Sequence, residues 1–262
     1  MATLPNPLPG LADDPSGRTL GLDLPLPAGR LVDTTDEGRW PEPLLWHADE
    51  PAAPGAWSAV LPARRTAGLL PVLVDLGSQG GPEGWELMPD EASYPGDHDA
   101  EEVLAESWTE CAEEPDWPGL ADSPEPTADP DALAAETADT LAADSARLKE
   151  PRLALVPARR SADIPAAIGW TGPMNHENDV ARLCAVLRSW EDRFGIRVVS
   201  LTFDQLTVSV AAPPTTDSEA ESVAAEHFAF CPDNIWQGTE DGSLAAYAKT
   251  LPGARTWSFW WD

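Results

Sequence analysis

The sequence predicts an α+β protein whose C-terminal domain has a mixed or antiparallel sheet with about three helices. Three observations support this fold class: strand patterns of period two in the last third of the chain, an apolar repeat typical of a helix between Val180 and Phe194, and an acidic, proline-rich stretch before them. We expect four parts, namely an irregular lead-in at residues 1–39, a small N-terminal α/β region at 40–109, an acidic Pro-rich linker at 110–130 and a C-terminal α+β domain at 131–262.

The N-terminal region contains one clear strand and one clear helix. Residues 69–76 form a short apolar run with branched side chains that ends before Gly77, which indicates a buried strand. Residues 97–108 place apolar side chains at helical spacing behind acidic residues, and acids are favourable in the first turn of a helix.

The C-terminal domain alternates strands and helices. Strands are predicted at 152–156 and 167–170, as a hairpin at 196–201 and 206–210, and at the C-terminus, where Trp257, Phe259 and Trp261 share one face. A connecting helix is predicted over 131–149. Three helices follow it, from Asn175 or Asn178 to Gly195, over 216–230 behind a Thr216 and Glu219 capping box, and over 243–251.

The acidic charge is concentrated in one segment. The formal net charge is -29, and 20 of the 45 acidic side chains lie between Glu86 and Glu150, where only Arg147 and Lys149 are basic. Because nucleic-acid binding needs Lys and Arg to displace counterions from phosphates, the charge argues against a nucleic-acid partner and favours a basic protein partner. Solubility alone is the alternative explanation.

Targeting signals and membrane spans are not recognisable in the sequence. The first residues lack the pattern of an export signal, and no apolar run reaches about 18 residues. Three cysteines without a close pair suggest reduced thiols. We therefore expect a cytoplasmic protein that does not bind membranes.

Five ordered motifs in the C-terminal domain resemble a known bacterial family. They are VPARRSADIPAAIGWTGPMN, LRSWEDRFG, VSVAAPP, AAEHFAFCPDNIWQG and WSFWWD, and together they cover about Arg152 to Asp262. The resemblance is to domain of unknown function 4253, and the stretches WHADEP and TAGLLPVLVDL resemble the N-terminal region that accompanies it in longer members. This resemblance implies no known activity and no established site residues.

Four residues near one helix end form the candidate for chemistry. His227 and Cys231 are four residues apart, and Glu226 and Asp233 lie nearby, so a small hydrolase or a metal-dependent enzyme centred on these four is the alternative function. The pattern supplies neither a second pair of metal ligands nor an evident base for the thiol, which favours a structural role for His227 and Cys231. We predict no cofactor and no metal.

The tryptophans point to a different function. Trp236 in a loop and Trp260 on the back of the last strand have no periodic reason to be buried, and exposed aromatic side chains often anchor interfaces. Interface contact and peripheral packing stay open for both. The sequence therefore favours a non-catalytic protein-interaction module.

Overall fold

The computed structural model describes residues 6–18, 26–112, 116–238 and 242–262. Its strands are β1 (Gly29–Val32), β2 (Thr34–Thr35), β3 (Gly38–Arg39), β4 (Leu45–Ala48), β5 (Leu69–Asp75), β6 (Pro151–Pro157), β7 (Ile196–Leu201), β8 (Gln205–Val210) and β9 (Thr256–Trp260). Its α-helices are α1 (Gly10–Asp13), α2 (Ala56–Val60), α3 (Ala63–Ala67), α4 (Ala100–Cys111), α5 (Pro130–Ala143), α6 (Ile164–Ile168), α7 (Val180–Phe194), α8 (Asp217–Phe230), α9 (Asp233–Trp236) and α10 (Leu244–Ala248).

A seven-stranded mixed sheet organises the fold. Its order is β1-β4-β6-β5-β7-β8-β9, and every neighbouring pair is antiparallel except β5 and β7, which are parallel. Strands β2 and β3 form a separate two-stranded ribbon. The predicted α+β class is confirmed, while the number of helices exceeds the predicted three.

Strand β5 joins the two halves of the chain. It comes from the predicted N-terminal region, yet it lies between β6 and β7 of the predicted C-terminal domain, and all of its residues are buried. Alternate side chains supply opposite faces of the sheet: Val72 and Val74 belong to one apolar core, and Leu69 and Leu73 to the other. Residues 40–109 and 131–262 therefore contribute strands to the same sheet.

Helices cover both faces of the sheet. Helices α4, α7 and α8 pack together in the core that contains Trp190 and Phe194, and α2, α3 and α5 pack over the other face. Local signals define the ends of α7, since the Asp179 side chain accepts a hydrogen bond from the Ala181 N–H, and Gly195 ends the helix at φ +61°. The predicted capping box of Thr216 and Glu219 is present at the start of α8.

Several predicted elements need correction. Residues 167–170, predicted as a strand, contain the end of α6 and a turn, because Pro165 suits the first turn of a helix and Gly169 ends it at φ +65°. Helix α5 ends at Ala143, six residues before the predicted end. The predicted irregular lead-in includes α1 and β1, and its residues 1–5 and 19–25 lie outside the described part.

The predicted linker is irregular but packed against the sheet domain. Residues 116–129 contain neither helix nor strand. Ala121 is buried, and the Thr127 N–H donates to the Ala211 carbonyl at 2.8 Å. We call residues 116–129 the strap. Among the described helices, none has the length and apolar character needed to cross a bilayer.

Candidate functional site

Glu226 holds the strap against α7 and α8. Its fully buried carboxylate accepts two hydrogen bonds from Arg193 at 2.6 and 2.7 Å, one from Trp190 Nε1 at 2.7 Å and one from the Ala121 N–H at 2.7 Å. Arg193 also donates to the Ala121 carbonyl at 2.8 Å. Such a buried carboxylate is stable only when it is paired and hydrogen bonded, and these contacts meet that need.

His227 lies in an aromatic box. Its ring centroid is 4.5 Å from that of Trp257, 4.9 Å from Phe259 and 5.0 Å from Trp190, and its Nδ1 is 3.0 Å from the Tyr247 hydroxyl. Burial lowers the pKa of His227 to about 3, because a charged imidazolium loses its hydration there. His227 is therefore a neutral, buried side chain at neutral pH.

Cys231 and Asp233 belong to residues 231–237, which include α9 and cover the free edge of β9; we call these residues the edge turn. The Cys231 thiol donates to the Trp260 carbonyl at 2.9 Å, and the Asp233 carboxylate accepts from the Asp262 N–H at 3.3 Å. Between them, the Asn234 amide donates to the Ser258 carbonyl at 2.6 Å and accepts from the Trp260 N–H at 3.2 Å. The side chains of this turn thus replace the neighbouring strand that an edge strand lacks.

The four residues proposed for chemistry therefore make separate internal contacts. Burial also raises the pKa of the Cys231 thiol to about 12, which disfavours the reactive thiolate. In the ranges that the structure describes, no three His, Cys, Asp or Glu side chains are grouped so that they can hold a metal ion.

The two candidate anchor tryptophans differ in exposure. Trp236 at the end of α9 is 52% exposed, and one side of its ring lies edge-on against Phe228 at a centroid distance of 5.6 Å. Trp260 is only half-buried, and its backbone takes part in the covered edge of β9. Trp236 is the better placed of the two for contact with another molecule.

A cleft that the sequence did not predict lies where four chain segments meet the C-terminus. Two cavities of about 260 and 330 Å³ share Met88 and Met174 in their walls. We call the two together the acidic cleft, the smaller one its inner half and the larger one its outer half. The inner half is lined by Glu86, Met88, Thr171, Gly172, Met174, Asn175, Phe203, Asp204, Trp261 and Asp262, and the outer half by Asp36, Glu37, Met88, Asp90, Glu91, Met174 and Asn178.

Seven carboxylates line the acidic cleft without basic neighbours. None of them lies within 4.0 Å of a Lys, Arg or His nitrogen in the described residues, and no Lys or Arg lines either half. Asp163, by contrast, is a buried acid that is paired with Arg188 at 2.5 Å. The cleft is therefore a concentrated patch of negative potential.

Three residues in the walls of the cleft have unusual surroundings or backbone geometry. Met174 is 37% exposed, which is unusual for a large apolar side chain in this molecule. Trp261 is only 3% exposed, and its indole Nε1 has no hydrogen-bond partner among the described residues. Glu86 has φ +53°, a left-handed backbone conformation that a residue other than glycine rarely adopts.

Sequence reasoning missed the cleft because its residues are far apart in the chain. They come from residues 36–37, 86–91, 171–178 and 203–204 and from the C-terminal pair. Neither a short motif nor a helical or strand period connects them. The one available signal was Met174 in a turn between Pro173 and Asn175, where no periodic pattern predicts burial.

Fold and site together define an α+β protein with a mixed sheet, an acidic cleft and three separately buried side chains, Glu226, His227 and Cys231. Within it, residues 152–262 match the model of the family described as Domain of unknown function (DUF4253), which confirms the resemblance of the C-terminal motifs. Comparison with curated proteins and with solved structures gives no match. Strand β5 lies outside the matched residues, although it separates two matched strands in the sheet.

Proposed function

We propose that this protein is a non-catalytic protein-interaction module whose acidic cleft binds a basic partner. The observation that carries the proposal is the set of seven carboxylates that line the cleft with the exposed Met174, none of which has a described Lys, Arg or His nitrogen within 4.0 Å. Like charges held close together repel, and a basic partner would relieve this repulsion. The arrangement is therefore complementary to a positively charged surface.

The methionines support a protein partner rather than a simple cation. Met88 and Met174 lie at the junction of the two halves, where each contributes to both cavities. Methionine side chains are flexible and polarizable, so they adapt to partner side chains of different shape. A cleft lined by carboxylates and methionines suits a segment that carries both basic and apolar residues.

Trp236 supplies a second candidate contact. Its exposed ring is held by Phe228, so little side-chain freedom is lost when a partner covers it. We place Trp260 in a lesser, packing role because it is half-buried.

The proposal also covers which partners are disfavoured and where the protein acts. A chain with net charge -29 repels nucleic acids and anionic membrane surfaces. Its three cysteines are unpaired, as expected for a reducing cytoplasm.

Binding of a synthetic peptide to the full-length protein tests the proposal. The probe is a fluorescent peptide of alternating arginine, lysine and leucine, titrated at low and at physiological salt. The cleft variant combines Asp36→Asn, Asp90→Asn and Glu91→Gln, and the control variant combines Asp122→Asn, Glu125→Gln and Glu221→Gln, which are acids outside the cleft. Both variants carry the same net charge.

We expect the cleft variant to bind about tenfold more weakly, equivalent to about 1.4 kcal/mol, and the control to stay within about twofold of the parent. If both variants bind the peptide equally weakly, the effect comes from net charge alone and the proposal is overturned. Failure of the parent to bind the peptide at low salt would do the same.

A further inference from the structure

We infer that Met174 is an oxidation site for hydrogen peroxide and other small neutral peroxides, and that the sulfoxide formed there weakens binding of the basic partner. The inference rests on the proposed function, because it concerns regulation of the same cleft. It depends on the exposure of the Met174 side chain, on the place of Met174 outside the apolar cores, and on the charge of the cleft walls.

Met174 is the more accessible of the two methionines in the described residues. It is 37% exposed and lines both cavities of the acidic cleft, each of which is far larger than a peroxide molecule. Met88 lines the same cavities but is half-buried. Since oxidation requires that the reagent reaches the sulfur, Met174 should react first.

Oxidation of Met174 should leave the fold intact. Among the described residues, the side chains of the two apolar cores do not include Met174. The turn that carries it is held by its backbone, since the Met174 N–H donates to the Thr171 carbonyl at 3.0 Å and the His176 N–H donates to the Pro173 carbonyl at 2.8 Å. A methionine sulfoxide in a core disrupts packing, but here the change is confined to the wall of the cleft.

The reaction transfers one oxygen atom to the thioether. The Met174 sulfur supplies an electron pair to one peroxide oxygen, and the O–O bond breaks. The departing hydroxide takes the proton of the transferred oxygen, so the products are the sulfoxide and water. The sulfur is oxidised and the peroxide is reduced by the same electron pair. Reductase enzymes convert methionine sulfoxide back to methionine, which makes the modification reversible.

A sulfoxide at this position removes an apolar contact from the cleft. Met174 and Met88 lie where the two halves meet, and a thioether there can pack against apolar residues of a partner. The sulfoxide is polar, so this contact is lost. Its oxygen adds a hydrogen-bond acceptor, but seven carboxylates in the same walls already supply stronger acceptors for a basic partner. The loss of apolar packing therefore outweighs the added acceptor.

The charge of the cleft determines which oxidants reach Met174. Seven carboxylates line the two cavities, and no described Lys or Arg does. Such a field lowers the local concentration of anions, whereas neutral hydrogen peroxide is not repelled. An anionic oxidant such as peroxymonosulfate should therefore react slowly with Met174 at low salt and faster when salt screens the carboxylates.

Peptide mapping by mass spectrometry after limited oxidation tests the site. The full-length protein carries Cys111→Ser, because Cys111 is the one cysteine that is not buried and its thiol could also be oxidised. With hydrogen peroxide we expect Met174 to gain an oxygen about fivefold faster than Met88. N-acetylmethionine amide in the same solution is the reference. Relative to it, the rate at Met174 should rise with salt for peroxymonosulfate and stay constant for hydrogen peroxide.

Binding of the peptide of arginine, lysine and leucine tests the consequence. Each protein is titrated before and after peroxide treatment, and circular dichroism monitors its fold. Oxidation should weaken binding by the Cys111→Ser protein about fivefold, and a methionine sulfoxide reductase should restore it. Met174→Leu in the same background has no sulfur at this position, so peroxide should leave its affinity unchanged, whatever that affinity is. Met88→Leu keeps Met174, so its affinity should still fall.

The outcomes separate this inference from the function on which it rests. Peptide binding that stays equally strong after complete oxidation of Met174 would overturn the inference and leave the proposed function standing. Oxidation of Met88 before Met174, or unfolding on oxidation, would do the same. A peroxymonosulfate rate at Met174 that does not depend on salt would overturn the preference for neutral peroxides. Absence of peptide binding before any oxidation would overturn both proposals.

Discussion

The His227 imidazole shows how its immediate surroundings determine the chemistry open to a single residue. It lies four positions before Cys231, a spacing compatible with a shared site, but the aromatic box of Trp190, Trp257 and Phe259 encloses the ring. Its Nε2 has no hydrogen-bond partner among the described residues. The neutral form is therefore the one that fits the folded protein.

The low pKa of His227 predicts a loss of stability in acid. In the unfolded chain the imidazole binds a proton below about pH 6.5, whereas in the folded protein its pKa is about 3. The contribution of neutral His227 is complete above about pH 6.5 and falls as the pH drops toward 3. Between pH 7 and 4.5 we expect the free energy of unfolding of the parent to fall by about 2 to 3 kcal/mol more than that of His227→Gln. The expected loss is about 1.36 kcal/mol for each pH unit below 6.5.

Urea unfolding at the two pH values measures this difference. His176→Gln is the matched control, since His176 is only partly buried, with its Nε2 3.3 Å from the Ala229 carbonyl. The control should keep the pH dependence of the parent. If the free energy of unfolding of His227→Gln has the same pH dependence as that of the parent, His227 is hydrated in the folded state.

At the scale of elements, the edge turn after α8 protects the sheet. Strand β9 is an edge strand, and its outward backbone groups at Ser258 and Trp260 bond to side chains of the turn. Asn234 makes two of these bonds because one side-chain amide has both a donor and an acceptor. The turn thus prevents β9 from pairing with another chain.

Asn234→Ala should expose this edge. We expect a loss of about 1 to 3 kcal/mol in the free energy of unfolding, because two backbone groups lose their partners. Self-association that increases with protein concentration should accompany it. Urea unfolding and sedimentation velocity measure the two effects, with Gln237→Ala, an exposed change on the same turn, as control. A monomeric variant with a loss below about 0.5 kcal/mol, within the range of ordinary surface substitutions, would show that the edge needs no such cover.

Elements with local signals were predictable from the sequence. The apolar repeat, the cap and the terminal glycine of α7 act within a few residues, as does the capping box of α8, and both helices form as expected. The β7 and β8 hairpin and the inward face of β9 were predictable from alternation. By contrast, the end of α6 was included in a predicted strand at 167–170, since five residues are too few to show a helical period.

Sites that depend on distant residues were not predictable. The order of β6, β5 and β7 in the sheet brings distant residues together, as the pairing of Asp75 with Pro151 shows. The acidic cleft likewise combines segments between Asp36 and Asp262. Spacing along the chain placed Glu226 beside His227, but only the fold shows that Glu226 binds Arg193 and the strap.

At the scale of the whole molecule, the sheet makes the two halves of the chain depend on each other. Residues 152–262, which match the family model, supply β7, β8, β9 and nearly all of β6. Without β5 the matched strands β6 and β7 have no common neighbour, and the apolar side chains that β5 covers on both faces would be exposed.

This dependence predicts the behaviour of the protein after a cut in the strap. Residues 122–125 include exposed positions, and Ala121 beside them is anchored to Glu226 and Arg193, so limited proteolysis should cut after Ala121 and before helix α5. Because β5 pairs with β6 and β7 across the cut, the two fragments should stay together as one folded particle. Size-exclusion chromatography of the cut protein should show the elution volume of the intact chain in buffer and two separate fragments only in denaturant.

Separate expression provides the control for this cut. Residues 131–262 produced alone should aggregate or remain unfolded, and co-expression with residues 1–112 should restore a soluble complex, since β5 then fills the gap between β6 and β7. A C-terminal fragment that elutes alone as a folded monomer would show that the C-terminal domain is independent of β5, as the division of the sequence into separate regions implies. In that case the strap would be a true linker, and its contacts with Glu226 and Arg193 would add little to the stability of the whole.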